Sequence, residues 1–352
     1  MIVLGLESSC DETAAAVVEG GRRVRSSVVA SQHELHRAFS GVVPELASRA
    51  HVERLVPVVQ TALDRAGLTL REIEAVAVGH RPGLIGSLLV GVAGAKALAW
   101  SLGVPIIGVD HILAHLHAGL LGRPVDHQVH PALGLVISGG HTATFLCRSS
   151  VDAHRLGTTI DDAAGEAFDK AAAILGLPYP GGPSVDRLAS APGADDRAHD
   201  LPVSRLERES LDFSFSGLKT ALLYAARGVP TREGAFPRDS AALSPEARRD
   251  LAASFQRAVC RAVVLKLERA LARVRAEAGG CRSLIAGGGV TSNSRLRAEL
   301  ADLARREGLA LILPPPDLCV DNAAMIAGLG HDLLASGQRS GLDLQASPSS
   351  PC

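Results

Sequence analysis

A unit of strand, polar loop, strand, glycine turn and strand fills the first thirty residues and returns from Ala132 onward. IVLGLE, SSCDE, TAAAVV, EGG and VRSSVVA are answered by ALGLVI, SGGH, TATFLC, RSSVD and AHRLG, and each copy leads into helical stretches. Such a repeat constrains the chain to an internally duplicated α/β protein in which each copy builds its own sheet. The repeat is one of pattern and not of identity, so two unrelated β-meanders stay open as the alternative on the residues alone.

The totals agree with two lobes. The 352 residues, 47% hydrophobic but only 3% aromatic, can bury a large aliphatic core. The 36 Lys and Arg nearly cancel the 37 Asp and Glu, so nothing global marks a nucleic-acid or membrane binder, and any RNA contact is local or shared with a partner. Six cysteines without a CxxC pair fit reduced thiols in a cytosolic protein. MIVLGLESSCDE lacks the basic region and long apolar core of a signal peptide, which argues against export. IGSLLVGVAGAKALAW (85–100) is short and glycine-rich and carries Lys96, so it is expected as a buried helix with no membrane role. Residues 228–245 are expected as a surface loop and 336–352 as a disordered tail.

Both loops of the repeated unit suit an anion. Gly139 and Gly140, flanked by Ser138, His141 and Thr142, let successive amides point into one concavity, although a tight hairpin turn uses glycine equally well. In the first loop, Asp11 and Glu12 cannot bind a bare phosphate but can hold a cation or a water beside one.

HILAHLHAG (111–119) follows the strand VPIIGVD, whose Asp110 is a favoured N-cap. His111 and His115 stand four apart and share a helix face, so their imidazoles can converge on one ion; two satisfied core histidines are the alternative. His117 points away. Asp321, in LPPPDLCVDNAAMIAGLG (313–330), is the candidate third ligand, against an ordinary role as N-cap of the helix that follows. Two imidazoles and a carboxylate leave coordination positions open and suit iron or zinc. Ile112 occupies the place of the glutamate that an HExxH peptidase requires, which disfavours peptide hydrolysis.

A helix is expected from about Asp162 to Leu175, with Asp162, Glu166 and Asp169 on one face, either solvated or turned to a ligand. YPGGP follows, with Asp186 a turn beyond. LIAGGGVTSNSRLRAEL (284–300) reads as strand, glycine loop and helix, capped by Ser292 or Ser294, and Asn293 is placed either to cap or to meet a base or ribose. Phe213 and Phe215 alternate with polar residues, as in a strand with one buried face.

Taken together, ESSCDETAAAVV, GVVPELASRAH, RPGLIGSLLVG, HILAHLHAG, ISGGHT, DDAAGEAFDKAA, YPGGPSVD, DFSFSGLKTA, GGGVTSN and DNAAMIA resemble the TsaD family, the tRNA adenosine threonylcarbamoyltransferases, over Met1 to about Leu334. The resemblance implies an α/β, actin-like (ASKHA) fold of two duplicated lobes with a ligand cleft between them. The lobes are expected at 1–131 and 132–335, the C-terminal helix packing back on the first. It implies Fe(II) or Zn(II) on His111, His115 and Asp321, and an adenylate held by Val136, Ile137, Ser138, Gly139, Gly140, Asp169, Gly182, Asp186 and Asn293. The implied reaction transfers threonylcarbamoyl from threonylcarbamoyl-AMP to the exocyclic amine of the adenosine 3′ of the anticodon, in tRNAs reading codons that begin with A. The implied partners are tRNA, a TsaB-like paralogue, a TsaE-like ATPase and a TsaC-type synthase, in the cytoplasm. No general base is evident; Asp11 and Glu12 are the candidates. The chain departs from the family where Arg81 replaces a glycine, where Asp110 replaces a frequent histidine, and in the extra glycine of GGG. A sugar or acetate kinase of the same superfamily shares the lobes and gives no reason for the His-His-Asp set.

With a net charge of −1, the isolated chain is expected to hold tRNA only weakly at physiological salt, through local arginines such as Arg22, Arg23 and Arg25 and with help from partners. Filter binding across a salt series checks this, and tight binding at physiological salt contradicts it.

Overall fold

The computed structural model describes residues 1–36, 41–124, 128–204, 206–207, 209–239 and 242–350. The chain divides into two compact units. One comprises Met1–His130, Cys147–His154 and Ile312–Cys352, the other Pro131–Leu146 and Arg155–Leu311.

The first unit contains β1 (Ile2–Glu7), β2 (Glu12–Glu19), β3 (Arg23–Ser31), α1 (His33–His36), α2 (Pro44–Ala66), β4 (Ala75–Arg81), α3 (Ile85–Leu102), β5 (Ile106–Asp110) and α4 (His111–Ala118). Its sheet runs β3-β2-β1-β4-β5, with β1 antiparallel to β2 and parallel to β4. Successive side chains of a strand point to opposite faces, and here both faces are covered. Leu4, Leu6, Val17, Val76 and Val78 pack with α2 and α3, while Val3, Ala16, Ala75, Ala77 and Val109 pack with α4 and the C-terminal helix. This explains strands that are apolar at nearly every position.

The second unit contains β6 (Ala132–Ile137), β7 (Thr142–Cys147), β8 (Ala153–Thr158), α5 (Ala164–Ile174), α6 (Gly181–Ala189), α7 (Ser216–Arg227), α8 (Pro245–Ala278), β9 (Ser283–Gly287), α9 (Ser294–Glu307) and β10 (Ala310–Ile312). Its sheet order is β10-β9-β6-β7-β8. Read from β8, this is the first sheet's order, three consecutive strands followed by two more on the far side of the first. The pattern repeat in the sequence is therefore a repeat of topology, and the unrelated-meander alternative falls. β6 and β9 are parallel, with Val136 opposite Gly287. Phe213 and Phe215 are both buried, but Phe213 makes only an isolated bridge to Thr159 and the expected strand does not form.

The last helix, α10 (Ala323–Ala335), belongs to the first unit and lies on β1, β2, β4 and β5. Small residues allow the approach. A Cβ on Gly5 would lie 2.8 Å from Ala327 Cβ and 2.9 Å from Ala327 N, so the helix sits directly on the β1 backbone. Residues 336–350, expected as a disordered tail, instead run along the exposed edge of β5. Ser340 N donates to Ile106 O at 3.0 Å, Gly108 N donates to Ser340 Oγ at 3.0 Å, and Ser347 N donates to His80 O at 2.9 Å. An edge strand leaves backbone groups open, and the tail satisfies them, which its polar composition does not reveal. Residues 351–352, and 240–241 of the expected surface loop, fall outside the described residues. α3 is long and apolar enough to cross a membrane by length and composition. Leu88, Val92, Ala95 and Ala99 are buried in the first unit's core, while Leu89 and Trp100 are exposed.

Gly5→Ala is expected to destabilise the protein by about 1–3 kcal/mol through overpacking. Gly217→Ala, whose Cβ meets nothing within 4 Å in α7, should leave stability equal or slightly higher. Urea unfolding midpoints separate the two, and equal effects would contradict the close seating of α10.

Candidate functional site

The carboxylate of Asp110 ends β5 and caps α4, accepting from Ile112 N at 3.0 Å and Leu113 N at 3.3 Å. α4 thus begins at His111, and one helical turn brings His115 beneath it, with ring centroids 4.7 Å apart and planes at 80°. Asp321 meets both rings. Its Oδ1 lies 3.1 Å from His115 Nε2 and 3.5 Å from His111 Nε2, and one ligand atom from each of the three residues falls within 4.8 Å of the others. The expected rival role for Asp321 goes to its neighbour, since Asn322 caps α10 by accepting from Met325 N at 3.0 Å. Asn322 Nδ2 also donates to Val320 O at 2.8 Å, which fixes the turn that presents Asp321.

His115 is fully buried, its Nε2 facing Asp321 Oδ1 at 3.1 Å and its Nδ1 without a hydrogen-bond partner among the described residues. A buried imidazole and carboxylate so close together suit a cation, which Nε2 of His115 can share with Asp321 and His111. His111 has a different environment: its Nδ1 lies 3.1 Å from Glu7 Oε2 and 3.2 Å from Ser9 Oγ. Burial alone would lower the His111 pKa, but the Asp321 and Glu7 carboxylates outweigh it and raise the value to about 10. Burial lowers that of His115. His117 faces away from Asp321, as expected. Its Nε2 sits 3.0 Å from Arg22 and 3.3 Å from Gly21 O, and burial drives its pKa down to about 4. Arg22 is paired with Asp332 at 3.1 Å and mostly covered, whereas Arg23 remains exposed.

A second cluster joins Asp11, Glu12 and His33 in the first unit. His33 Nε2 lies 3.2 Å from Glu12 Oε1 and 3.8 Å from Asp11 Oδ2. Burial, opposed by the His33 contact and reinforced by the Asp321 and Asp11 charges, raises the Glu12 pKa to about 8. His33 and Glu7 were not legible as site residues. The β2–β3 register pairs Glu12 with Ser31, two residues before His33, but a bulge between Val17 and Val18 shifts that register, so counting back from the EGG turn misplaces it.

The glycine loop and its associates lie in the second unit. Ser138 N donates to His141 O at 2.8 Å, and His141 N donates to Ser138 Oγ at 3.2 Å, which leaves Gly139 and Gly140 at an exposed tip. Val136 and Ile137 are wholly buried, so only their backbone can serve a ligand. α5 docks under the loop through Gly165 N to Ser138 O at 3.1 Å and Glu166 N to Gly139 O at 3.2 Å. Gly288, at φ 98°, brings the GGG loop against the end of β6; a Cβ there would stand 2.5 Å from Ile137 O. On α5, Asp169 Oδ1 accepts from Gly181 N at 2.7 Å, which joins it to the YPGGP turn next to Gly182. On α6, Asp186 accepts from Ser294 N at 3.1 Å and Ser294 Oγ at 2.7 Å. Asn293, and neither expected serine, caps α9 by accepting from Leu296 N at 3.0 Å, while its Nδ2 donates to Gln256 Oε1 at 2.9 Å. The acidic face expected from Asp162 is altered, because α5 starts at Ala164 and Lys170 neutralises Asp162 at 2.7 Å and Glu166 at 2.8 Å. Two of the three departures from the family pattern face each other: Arg81 Nε lies 3.3 Å from Asp110 Oδ2.

The family model described as tRNA N6-adenosine threonylcarbamoyltransferase matches residues 23–328. A protein of that name from Symbiobacterium thermophilum is 50% identical over 348 residues, which span 99% of this chain and 96% of the relative. A namesake from Anaeromyxobacter dehalogenans is 50% identical over 349 residues, 98% of each chain. Among solved structures, HypF of T. kodakarensis superposes with a TM-score of 0.60 at 15% identity, covering 95% of this chain and 48% of its own. Component A of the (R)-2-hydroxyglutaryl-CoA dehydratase of Acidaminococcus fermentans does so at 0.51 and 12% identity, over 95% of this chain and 99% of its own. At such identities these likenesses speak to the fold alone, which is the duplicated, actin-like α/β fold.

Since its folded-state pKa exceeds the unfolded value near 6.5, the His111 imidazolium stabilises the chelated protein fully below about pH 6.5, and the contribution is lost as pH rises through about 10. The stability difference between wild type and His111→Gln in chelator should therefore shrink across that window. A difference flat from pH 6 to about 10.5 would contradict the two-carboxylate clamp.

Proposed function

Since the chain belongs to the tRNA N6-adenosine threonylcarbamoyltransferase (TsaD) family, we propose that it transfers the threonylcarbamoyl group of threonylcarbamoyl-AMP to the exocyclic amine of the adenosine immediately 3′ of the anticodon, in tRNAs reading codons that begin with A. The observation that carries this reading is the convergence of the ligand atoms of His111, His115 and Asp321 within 4.8 Å of one another, two of the three residues being buried. Two imidazole nitrogens and one carboxylate fit a divalent iron or zinc ion. Bound there, the ion supplies Lewis-acid stabilisation of anionic oxygen.

The other roles follow from the second unit. The Gly139 and Gly140 amides bind the phosphate, the loop being held by the Ser138–His141 pairing, and the ends of Val136 and Ile137 shape the approach. Asp169, Gly182, Asp186 and Asn293 hold the nucleoside, with Asn293 acting from a position already fixed by its cap and by Gln256. In the reaction the amine nitrogen forms a bond to the carbamoyl carbon, the bond from that carbon to the phosphate oxygen breaks, and the amine loses a proton. An aromatic amine is a poor nucleophile, so positioning and stabilisation of the leaving phosphate provide most of the acceleration. Asp11 and Glu12 assist through orientation or water.

tRNA is the macromolecular substrate, and the near-zero net charge implies that its grip is shared. A TsaB-like paralogue and a TsaE-like ATPase fill that role, a TsaC-type synthase supplies the adenylate, and the setting is cytoplasmic. Nucleoside mass spectrometry of tRNA from depleted cells tests the assignment. Threonylcarbamoyladenosine should fall on depletion, return with the wild-type gene and stay low with His111→Ala. An unchanged level after depletion rejects the transferase.

A further inference from the structure

The geometry points to Glu7 as the positioning residue of the proposed metal centre: its carboxylate fixes the tautomer and orientation of His111 so that Nε2 is presented to the ion. This rests on the metal reading above and extends it to a residue outside the ligand set. Glu7 ends β1 with no solvent exposure. A carboxylate so placed demands hydrogen-bond donors, and two are at hand: Ser9 N donates to Oε1 at 2.6 Å, and His111 Nδ1 lies 3.1 Å from Oε2. Ser9 Oγ approaches the same nitrogen at 3.2 Å, but the charged acceptor takes the N–H more strongly. With the Nδ1 N–H held by Glu7, the ring turns Nε2 to the side on which Asp321 lies, where it is presented to the ion, and the negative charge behind the ring strengthens it as a ligand.

The seat of Glu7 is built into the neighbouring strand. A Cβ on Gly79 of β4 would stand 2.5 Å from Glu7 Oε2, so a side chain at residue 79 displaces the carboxylate. His115 provides the contrast. Its Nδ1 is buried without a hydrogen-bond partner, so no such carboxylate orients it, and the pair is asymmetric by construction. His111 is the pre-aimed ligand, and His115 is aimed by the ion and by helix packing.

Cobalt(II), whose visible absorption reports coordination, is the probe, titrated into full-length wild type, Glu7→Gln and Gly79→Ala after chelation. Wild type should bind one equivalent. Glu7→Gln should weaken binding by about 10–100-fold and shift the cobalt absorption, with far-ultraviolet circular dichroism unchanged. Gly79→Ala, which keeps the carboxylate and moves it, should shift both in the same direction and decides the question if Glu7→Gln does not fold. Wild-type binding with equal affinity and an identical spectrum in the folded variants overturns the role of Glu7 and leaves the metal reading standing. Failure of wild type to bind cobalt overturns both.

Discussion

The seating of α10 on β1 is the contact on which the first unit's chemistry depends. Only where Gly5 leaves the strand bare, and alanines face it from the helix, can the two backbones come so close. That approach places the start of α10, and therefore Asp321, beside a histidine pair some two hundred residues earlier in the chain. A bulkier face on either element would lift the helix and carry the carboxylate out of reach of Nε2. The burial is apolar and without direction, but its geometric product is a specific polar cluster.

Charge then decides what the cluster can do. Glu7, His111, His115 and Asp321 form a set of acids and imidazoles in which the charge balance is met by protons or by a cation. Removing charged groups from water is expensive, so such a set persists only where each member answers another. The second unit uses the opposite means. Its loop after β6 and the starts of α5, α6 and α9 are tied by backbone amides and capping side chains, which offer fixed partial charges. The first arrangement suits a cation, the second an anionic nucleotide.

Several polar residues serve the fold alone. Arg22, His117 and Asp332 form a network that locks the β2–β3 turn to α4 and α10, and the half-buried Asp332 carboxyl, which burial alone would raise, is held well below the usual range by His331, His117 and Arg22. Asp110 works three times over, capping α4, pairing with Arg81 and accepting from Ser350 Oγ at 2.5 Å. A tail so anchored is ordered by the edge of β5.

The sequence by itself determined whatever depends on neighbours within a few residues. The repeated strand-loop-strand unit, the capped start of α4 at Asp110 and the shared face of His111 and His115 follow from strand alternation, capping and helical period. The motifs also carried the family, and with it the choice of Asp321. Only the tertiary structure decided which residue caps α10 and so released Asp321, that Glu7 stands behind His111, that His33 joins Glu12 across a bulged register, and that residues 336–350 complete a sheet edge. Each of these depends on how closely two distant faces pack or how two strands align. Those distances are set by the whole core at once, and no local stretch of chain encodes them.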